Sequence, residues 1–401
     1  MLPLNSQHNK NNGLTAKPKV WVLAPWLHTG DANVDYYYDF SQSIQEYTRA
    51  FAELGLEWQW QPVSMNDYRE VIDMIAGNAR RELTVVLNLC DGDEINGTPG
   101  ISVLKLLHEK DLIYTGANEY FYDITTSKIP MKEAFELAAV TTPAWRVITD
   151  NGASLHGIFD QLGKPLIVKP AVSGGSMGVS VKSVVHTPEE LSAQLQLLFE
   201  GYRGWNLTGG GVLAESYING PEYTTFIVGD CDNPAKSIIY PPVERVFHPA
   251  LPDTEKFLSF DRLWETYEEE TPLPNDEPFY TYHRPAEEMI DRIGKTSWDA
   301  YVATGGKGYG RVDLRLDTAT GQLHVLEVNA QCGISEDEDF TSIGAILRLS
   351  GKTFAQMVAE IIVNAFARKR HRKRKTAVAA TNKTDKSRKA PAGHKKVLVK
   401  R

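Results

Sequence analysis

Between Arg311 and Asn329 a guanidinium, two carboxylates and a side-chain amide recur at alternating positions of two apolar–polar runs. The runs are Arg311-Val-Asp-Leu-Arg-Leu316 and Leu323-His-Val-Leu-Glu-Val-Asn329, and Asp317 to Gly321 supplies turn formers between them, so a β-hairpin is expected. Val312, Leu314 and Leu316 share one face of the first strand, which puts Arg311 and Asp313 on the other. On the second strand Glu327 and Asn329 share a face with Val325. A turn centred on Thr320 sets Asp313 opposite Glu327 and Arg311 opposite Asn329. Opposed carboxylates repel unless something neutralises them. A hard cation with oxygen ligands does so, and Mg²⁺ held by a few carboxylates and by nucleotide phosphates is the usual arrangement. The competing reading is a solvent-facing edge hairpin in which Arg311 and Arg315 pair the acids. The hairpin by itself does not decide between them.

Two further segments bear on phosphate chemistry. Val168-Lys169-Pro170 leads into Ser173-Gly174-Gly175-Ser176-Met-Gly178, a small-residue loop between two expected strands, Pro165 to Pro170 and Val179 to Val185. Its glycines let backbone N–H groups approach phosphate oxygens, and Lys169 offers a point charge. The spacing is neither that of a P-loop nor of a dinucleotide fingerprint, and a plain glycine-rich hairpin turn is the alternative. In Leu213-Ala-Glu215-Ser-Tyr217-Ile218-Asn-Gly-Pro-Glu222, backbone groups at the strand end suit an adenine edge and Glu222 suits a ribose hydroxyl. An ordinary strand–turn–strand with surface acids fits the same residues.

These segments need elements to hold them. Lys19 to Ala24, Glu57 to Val63 and Thr84 to Leu89 read as strands, the last nearly all apolar as in a parallel strand covered on both faces. With a helix over Ile44 to Leu54 that stops at Gly55, they argue for an open α/β domain. Further helices are expected over Ser127 to Val140, Pro188 to Glu200, Glu287 to Thr304 and Thr353 to Ala367, and a strand over Val212 to Ile218. Pro241 to Pro285 is rich in proline, aromatics and acids with weak periodicity, the mark of a functional loop or lid.

The 401 residues suffice for two to three compact units, and 42% hydrophobic residues can fill their cores. No apolar run approaches the ~20 residues of a membrane span. Met1 to Lys19 lacks the apolar stretch of a signal peptide. Three cysteines, Cys90, Cys231 and Cys332, in no paired spacing, suit a reducing compartment. The net charge of −8 is uneven: Arg368 to Arg401 holds fifteen Lys or Arg against Asp385, hence +14, and the rest carries −22. Such an acidic body excludes a general nucleic-acid binder.

In this order the three motifs resemble the ATP-grasp fold, and more narrowly the D-alanine–D-alanine ligases. Asn88-Leu-Cys-Asp-Gly92, Gly97-Thr-Pro-Gly100, Tyr114-Thr-Gly116, Thr125-Thr-Ser-Lys128 and Thr142-Pro143 add to the likeness, as do Gly310-Arg-Val-Asp313 and Leu326-Glu-Val-Asn329. The resemblance spans about residues 80 to 365. It implies an α/β protein, α+β in its ATP-binding half. The units would be an N-terminal parallel-sheet domain over 19–124, a central lid subdomain over 125–211 and a C-terminal ATP/metal subdomain over 212–367. Residues 1–18 and the basic tail 368–401 would lie outside the fold.

The resemblance also implies the chemistry. Lys128 and Lys169 contact ATP phosphates under Ser173 to Gly178. Glu215, Tyr217 and Ile218 line the adenine pocket, and Glu222 meets ribose. Asp313, Glu327 and Asn329 hold Mg²⁺, with Mn²⁺ as its substitute. Arg311, Lys169 and the N–H of Gly333 serve catalysis, Arg311 and Gly333 by stabilising an oxyanion. A substrate carboxylate attacks the γ-phosphate, an amine displaces phosphate from the acyl phosphate, and ADP leaves. The substrates are amino acids, or another carboxylate with an amine. A non-catalytic ATP-binding module is the remaining alternative, opposed by the intact Asp313, Glu327 and Asn329. A homodimer in the cytoplasm is implied, with no membrane partner. The basic tail suggests a polyanion contact, or a nuclear address in a eukaryote.

Three departures bear on substrate. His28 to Asp31 and Asp35 to Asp39 stand where the family has its Ser-x-Glu substrate loop. Ala330-Gln-Cys-Gly-Ile-Ser-Glu-Asp-Glu-Asp339 replaces its Pro-Gly and Ser-Leu, and the acids there suit a basic acceptor or simply form a solvated loop. The lid lysine is missing, with Lys256 and Arg262 the nearest cations. Cys332 has no histidine near it in sequence, so covalent catalysis is not expected.

Overall fold

A computed structural model describes residues 17–27, 39–149, 155–201, 205–263, 270–274 and 277–370. The first unit runs β1 (Lys19–Pro25), α1 (Ser41–Leu54), β2 (Trp58–Val63), α2 (Tyr68–Asn78), β3 (Thr84–Asn88), α3 (Ile101–Glu109) and α4 (Glu119–Thr126). Its sheet is parallel in the order β2–β1–β3. All five residues of β3 are buried, as expected for a parallel strand covered on both faces. Gly55 ends α1 in the left-handed conformation at φ 59°, its N–H returning to Ala52 O.

The second unit runs α5 (Lys128–Leu137), β4 (Trp145–Ile148), α6 (Ile158–Leu162), β5 (Leu166–Pro170), β6 (Val184–Val185), α7 (Pro188–Glu200) and β7 (Val212–Ser216). Its antiparallel sheet has the order β4–β7–β5–β6. β7 therefore belongs to the central unit, and a boundary at 211/212 is too early: Val212 and Leu213 pair with Ile148 and Val147 of β4. The expected strand Val179 to Val185 is also shorter. Ser180 and Ser183 cap one another across a 3₁₀ turn, Val181–Ser183, leaving two residues for β6.

The third unit runs β8 (Glu222–Asp230), β9 (Ile238–Ile239), β10 (Val243–Phe247), α8 (Phe260–Leu263), β11 (Tyr280–His283), α9 (Glu287–Ala303), β12 (Lys307–Leu316), β13 (Leu323–Ala330), α10 (Ser342–Ser350) and α11 (354–370). Its main sheet has the order β11–β10–β8–β12–β13, with β9 on β8. The 241–285 stretch thus contains two sheet strands, β10 and β11. Their alternation was hidden because an inward position carries a charge, the buried Arg245.

The first and third units share two cores. One joins Trp21 and Leu23 to Val312, Leu314, Val325 and Val328. The other joins Tyr47 and Phe51 to Phe226, Tyr309 and Phe354. The sheet of the central unit has its own core around Leu166, Leu195 and Val212, whereas α5 packs Met131 and Phe135 into the first of the shared cores. Units fused through common hydrophobic packing form one body, against which the separately packed central sheet can close. The last helix runs past Ala367: Arg368 donates to Tyr114 O at 3.0 Å and Lys369 pairs with Asp111, so the fold takes in the first residues assigned to the basic tail. Residues 371–401 lie outside those described, as does most of the His28 to Asp39 departure. Among the described residues no helix is long and apolar enough to cross a membrane.

Candidate active site

β12 lies between β8 and β13, and the register sets Arg311 opposite Asn329 and Asp313 opposite Glu327. A bulge beyond Asp313 makes this pairing work: Leu314 pairs with Val325, so Leu326 is the extra residue. An odd insertion reverses the face of every later side chain. Val325 consequently packs in the core beside Val328 instead of sharing a face with Glu327, which corrects the simple alternation.

Asp313 receives Thr224 Oγ1 at 2.9 Å, Arg311 Nε at 3.0 Å and Asn329 Nδ2 at 2.9 Å. Asn329 Nδ2 also reaches Glu327 Oε1 at 3.2 Å, and Lys128 Nζ lies 3.5 Å from Glu327 Oε2. Burial raises the Asp313 carboxyl above its usual range, outweighing Arg311. Burial also opposes ionisation of Glu327, but Lys128, Lys169 and Arg311 together hold its carboxyl low. The solvent-facing reading fails on two counts. Asp313 is buried, and Arg315 turns away from the hairpin acids to bind Glu222. Two carboxylates and an amide gathered over one patch form an oxygen donor set suited to a hard cation.

β5 delivers Lys169 beside this patch, its Nζ 3.0 Å from Glu215 Oε2. Gly175, Ser176 and Gly178 all have positive φ, and a Cβ at Gly178 would sit 2.8 Å from Pro170 Cγ. Lys128 Nζ reaches Ser173 Oγ at 3.5 Å. The loop meets the lid directly: Ser176 Oγ donates to Leu258 O at 3.0 Å and Phe260 N to Val179 O at 2.7 Å. Phe257 packs with Val179 and Val184, so the 241–285 stretch and the segment after the Ser173 to Gly178 loop form one roof. Lys256 pairs with Asp253 at 2.7 Å and Arg262 with Glu270 at 3.1 Å, so both candidate lid cations already hold acids.

At the end of β7, where the adenine edge is expected, Tyr217 OH donates to Asp253 O at 2.6 Å. Ile218 O accepts from Arg315 Nη1 at 3.1 Å. Glu222 is buried between Arg245, on Oε1, and Arg315, 3.0 Å from Oε2. Gly333 is exposed beyond β13, with open space at its Cα. Burial pushes the Cys332 thiol up to about 12, in keeping with an inert sulfur. In the acidic loop Glu336 binds Arg49 and Glu338 lies 3.7 Å from Arg348, which weakens the argument for a basic acceptor.

Sequence reasoning missed Lys132, Arg245 and Gln331, and set Arg315 against the hairpin acids instead of Glu222. Lys132 stands one helical turn after Lys128, a spacing that puts both on one face of α5. Gln331 is buried with φ 56°. Its side chain donates to Cys90 O at 2.8 Å and accepts from Ala117 N at 3.2 Å, tying the first unit to the β12–β13 hairpin. Gln331→Ala strands both backbone groups and is expected to cost about 1–3 kcal/mol in equilibrium urea unfolding. A wild-type midpoint would disprove that role.

The family model described as "D-ala D-ala ligase C-terminus" matches residues 134–363, more than half of the chain. The chain belongs to the D-alanine–D-alanine ligase family. It is 28% identical over 252 residues to D-alanine–D-alanine ligase B of Xanthomonas campestris, spanning 62% of this chain and 69% of that protein. It is 29% identical over 264 residues to the ligase of Geobacter sulfurreducens, 66% of this chain and 72% of that one. The fold matches the ligase of Bacillus anthracis complexed with ATP at a TM-score of 0.62, covering 88% of this chain and 99% of that one at 20% identity. The Coxiella burnetii ligase matches at a TM-score of 0.62 and 15% identity, with 91% and 100% covered. The ATP-grasp architecture and membership among peptide-bond-forming, ATP-dependent ligases are thus established.

Proposed function

We propose that the protein joins two amino acids by way of an acyl phosphate, releasing ADP and phosphate, in the cytoplasm. The observation that carries this is the juxtaposition of Asp313, Glu327 and Asn329 with Lys128, while Lys169 helps hold the Glu327 carboxyl ionised. Asp313, Glu327 and Asn329 would hold Mg²⁺, or Mn²⁺ in its place, and the ion would neutralise charge on the transferring phosphoryl group. Lys128 and Lys169 draw the ATP phosphates under the Ser173 to Gly178 loop. The strand end at Glu215 to Ile218 accommodates adenine, and Glu222 faces the ribose side.

Positioning and charge neutralisation are the work this chemistry asks of a protein. The substrate carboxylate attacks the γ-phosphorus, and the second amine then attacks the acyl carbon. Arg311 and the Gly333 N–H stabilise the tetrahedral oxyanion. The lid docked on Ser176 and Val179 excludes water that would hydrolyse the acyl phosphate. D-Alanine is the first substrate to try, because the named relatives are D-alanine–D-alanine ligases.

The test is phosphate release from Mg-ATP with single and paired D- and L-amino acids, with products weighed by mass spectrometry. Amino-acid-dependent release with a dipeptide product is expected. Release with none of them, while a non-amino-acid carboxylate and an amine support it, would move the substrate class. ATP bound without any turnover would leave a binding module.

A further inference from the structure

A fully buried ammonium lies behind the phosphate lysine. Lys132 is 0% exposed, 3.3 Å from Glu215 Oε1, and it donates to Thr142 Oγ1 at 2.7 Å. Thr142 Oγ1 in turn donates to Val325 O at 2.9 Å, beside the bulge that turns Glu327 toward the metal face. The backbone adds a parallel tie, Val325 N to Thr141 O at 2.8 Å. Glu215 itself is 1% exposed and holds Lys169 through its other oxygen.

We propose that Lys132 is a positioning residue for the nucleotide, fixing Glu215 and through it Lys169 relative to the metal-bearing strand. The inference rests on the reading that Lys169 meets ATP phosphates. A single unbroken chain, β13–Thr142–Lys132–Glu215–Lys169, crosses from the third unit's sheet to the central unit's sheet. β5 and β7, which carry Lys169 and Glu215, pack in the core around Leu166, whereas α5 packs Met131 and Phe135 into the core of β12 and β13. The chain of contacts thus links two cores, and the packing of β5 alone does not fix the separation of phosphate lysine and metal ligands.

Charge points the same way. Burying an ammonium costs several kcal/mol unless close partners compensate, and an apolar residue would fill the space without that penalty. One carboxylate shared by two lysines also leaves excess positive charge beside the cleft, favourable to a polyphosphate. Burial lowers Lys132 to about 8 despite the pull of Glu215, so it remains largely charged at neutral pH. The acid holds its charge in turn, because Lys132 and Lys169 together outweigh its burial and keep the Glu215 carboxyl below its usual value.

The experiment is a double-variant cycle on the full chain, with ATP affinity read by calorimetry and KM and kcat by phosphate release. Lys132→Met is expected to weaken ATP binding about tenfold, the usual scale for loss of a supporting contact. Lys169→Met is expected to lose at least as much, and the double variant no more than Lys169→Met alone, since one acts through the other. Additive losses, or wild-type ATP affinity in a folded Lys132→Met, would overturn the inference. Unchanged affinity in Lys169→Met would remove the phosphate reading itself, and this inference with it. Should Lys132→Met not fold, Thr142→Val keeps every charge and cuts only the tether. A raised KM for ATP supports the proposal there, and an unchanged KM refutes it.

Discussion

Glu327→Gln is expected to lower turnover by about 10²–10³-fold, the scale on which removing one preorganised electrostatic contact acts on a developing charge. Gln keeps the shape and can still accept from Asn329 Nδ2, now 3.2 Å from Glu327 Oε1. What disappears is the negative charge that Lys128, Lys169 and Arg311 hold in place. A metal patch left with Asp313 as its one carboxylate should bind Mg²⁺ more weakly. Half-maximal activity should therefore move to higher Mg²⁺ as well as the maximum falling. The substitution is mild for folding, because the Glu327 side chain is 27% exposed and the hairpin register is set elsewhere. A magnesium titration of phosphate release checks both effects. Wild-type rate and midpoint together would exclude Glu327 from the metal site.

The largest effect on stability should come from Glu222→Leu, at about 3–5 kcal/mol, the cost of removing one partner from a buried ion pair. Two guanidiniums depend on this carboxylate. Arg245 and Arg315 are both under a tenth exposed, and Arg315 also holds the backbone of Ile218 and of Lys256. Arg245 keeps Tyr282 OH at 2.9 Å and the Tyr280 ring, and Arg315 keeps its two backbone carbonyls and the Tyr217 ring, but neither keeps a carboxylate. Equilibrium urea unfolding measures the loss. Glu222→Leu combined with Arg315→Leu should recover part of it, because one of the two uncompensated charges is then removed. A loss under about 1 kcal/mol for the single variant would mean that water reaches the arginines.

The sequence carried more of the ATP half of the site than of its supports. Alternation in β12 and β13 put Arg311, Asp313, Glu327 and Asn329 in facing positions, and the structure pairs them that way. Small residues after Lys169 marked a loop, and the structure has one, with positive φ at Gly175, Ser176 and Gly178. These are local properties of period and backbone freedom, so a single chain states them. The side of Val325, the length of β6 and the strand β10 were misread for reasons that are not local. A bulge, a reciprocal serine cap and a buried arginine each break the alternation on which strand reading depends.

What the sequence by itself determined is therefore the family, the ATP-grasp plan and the facing acids of the hairpin, all written in short-range pattern. Tertiary structure alone decided how the charges are apportioned: Lys132 and Lys169 on Glu215, Arg245 and Arg315 on Glu222, Arg49 on Glu336. Arg49 and Glu336 lie 287 positions apart, and Lys132 and Glu215 come from different elements. The physical reason is that a charge finds its partner through space and desolvation, and neither is encoded in the spacing of residues along one strand.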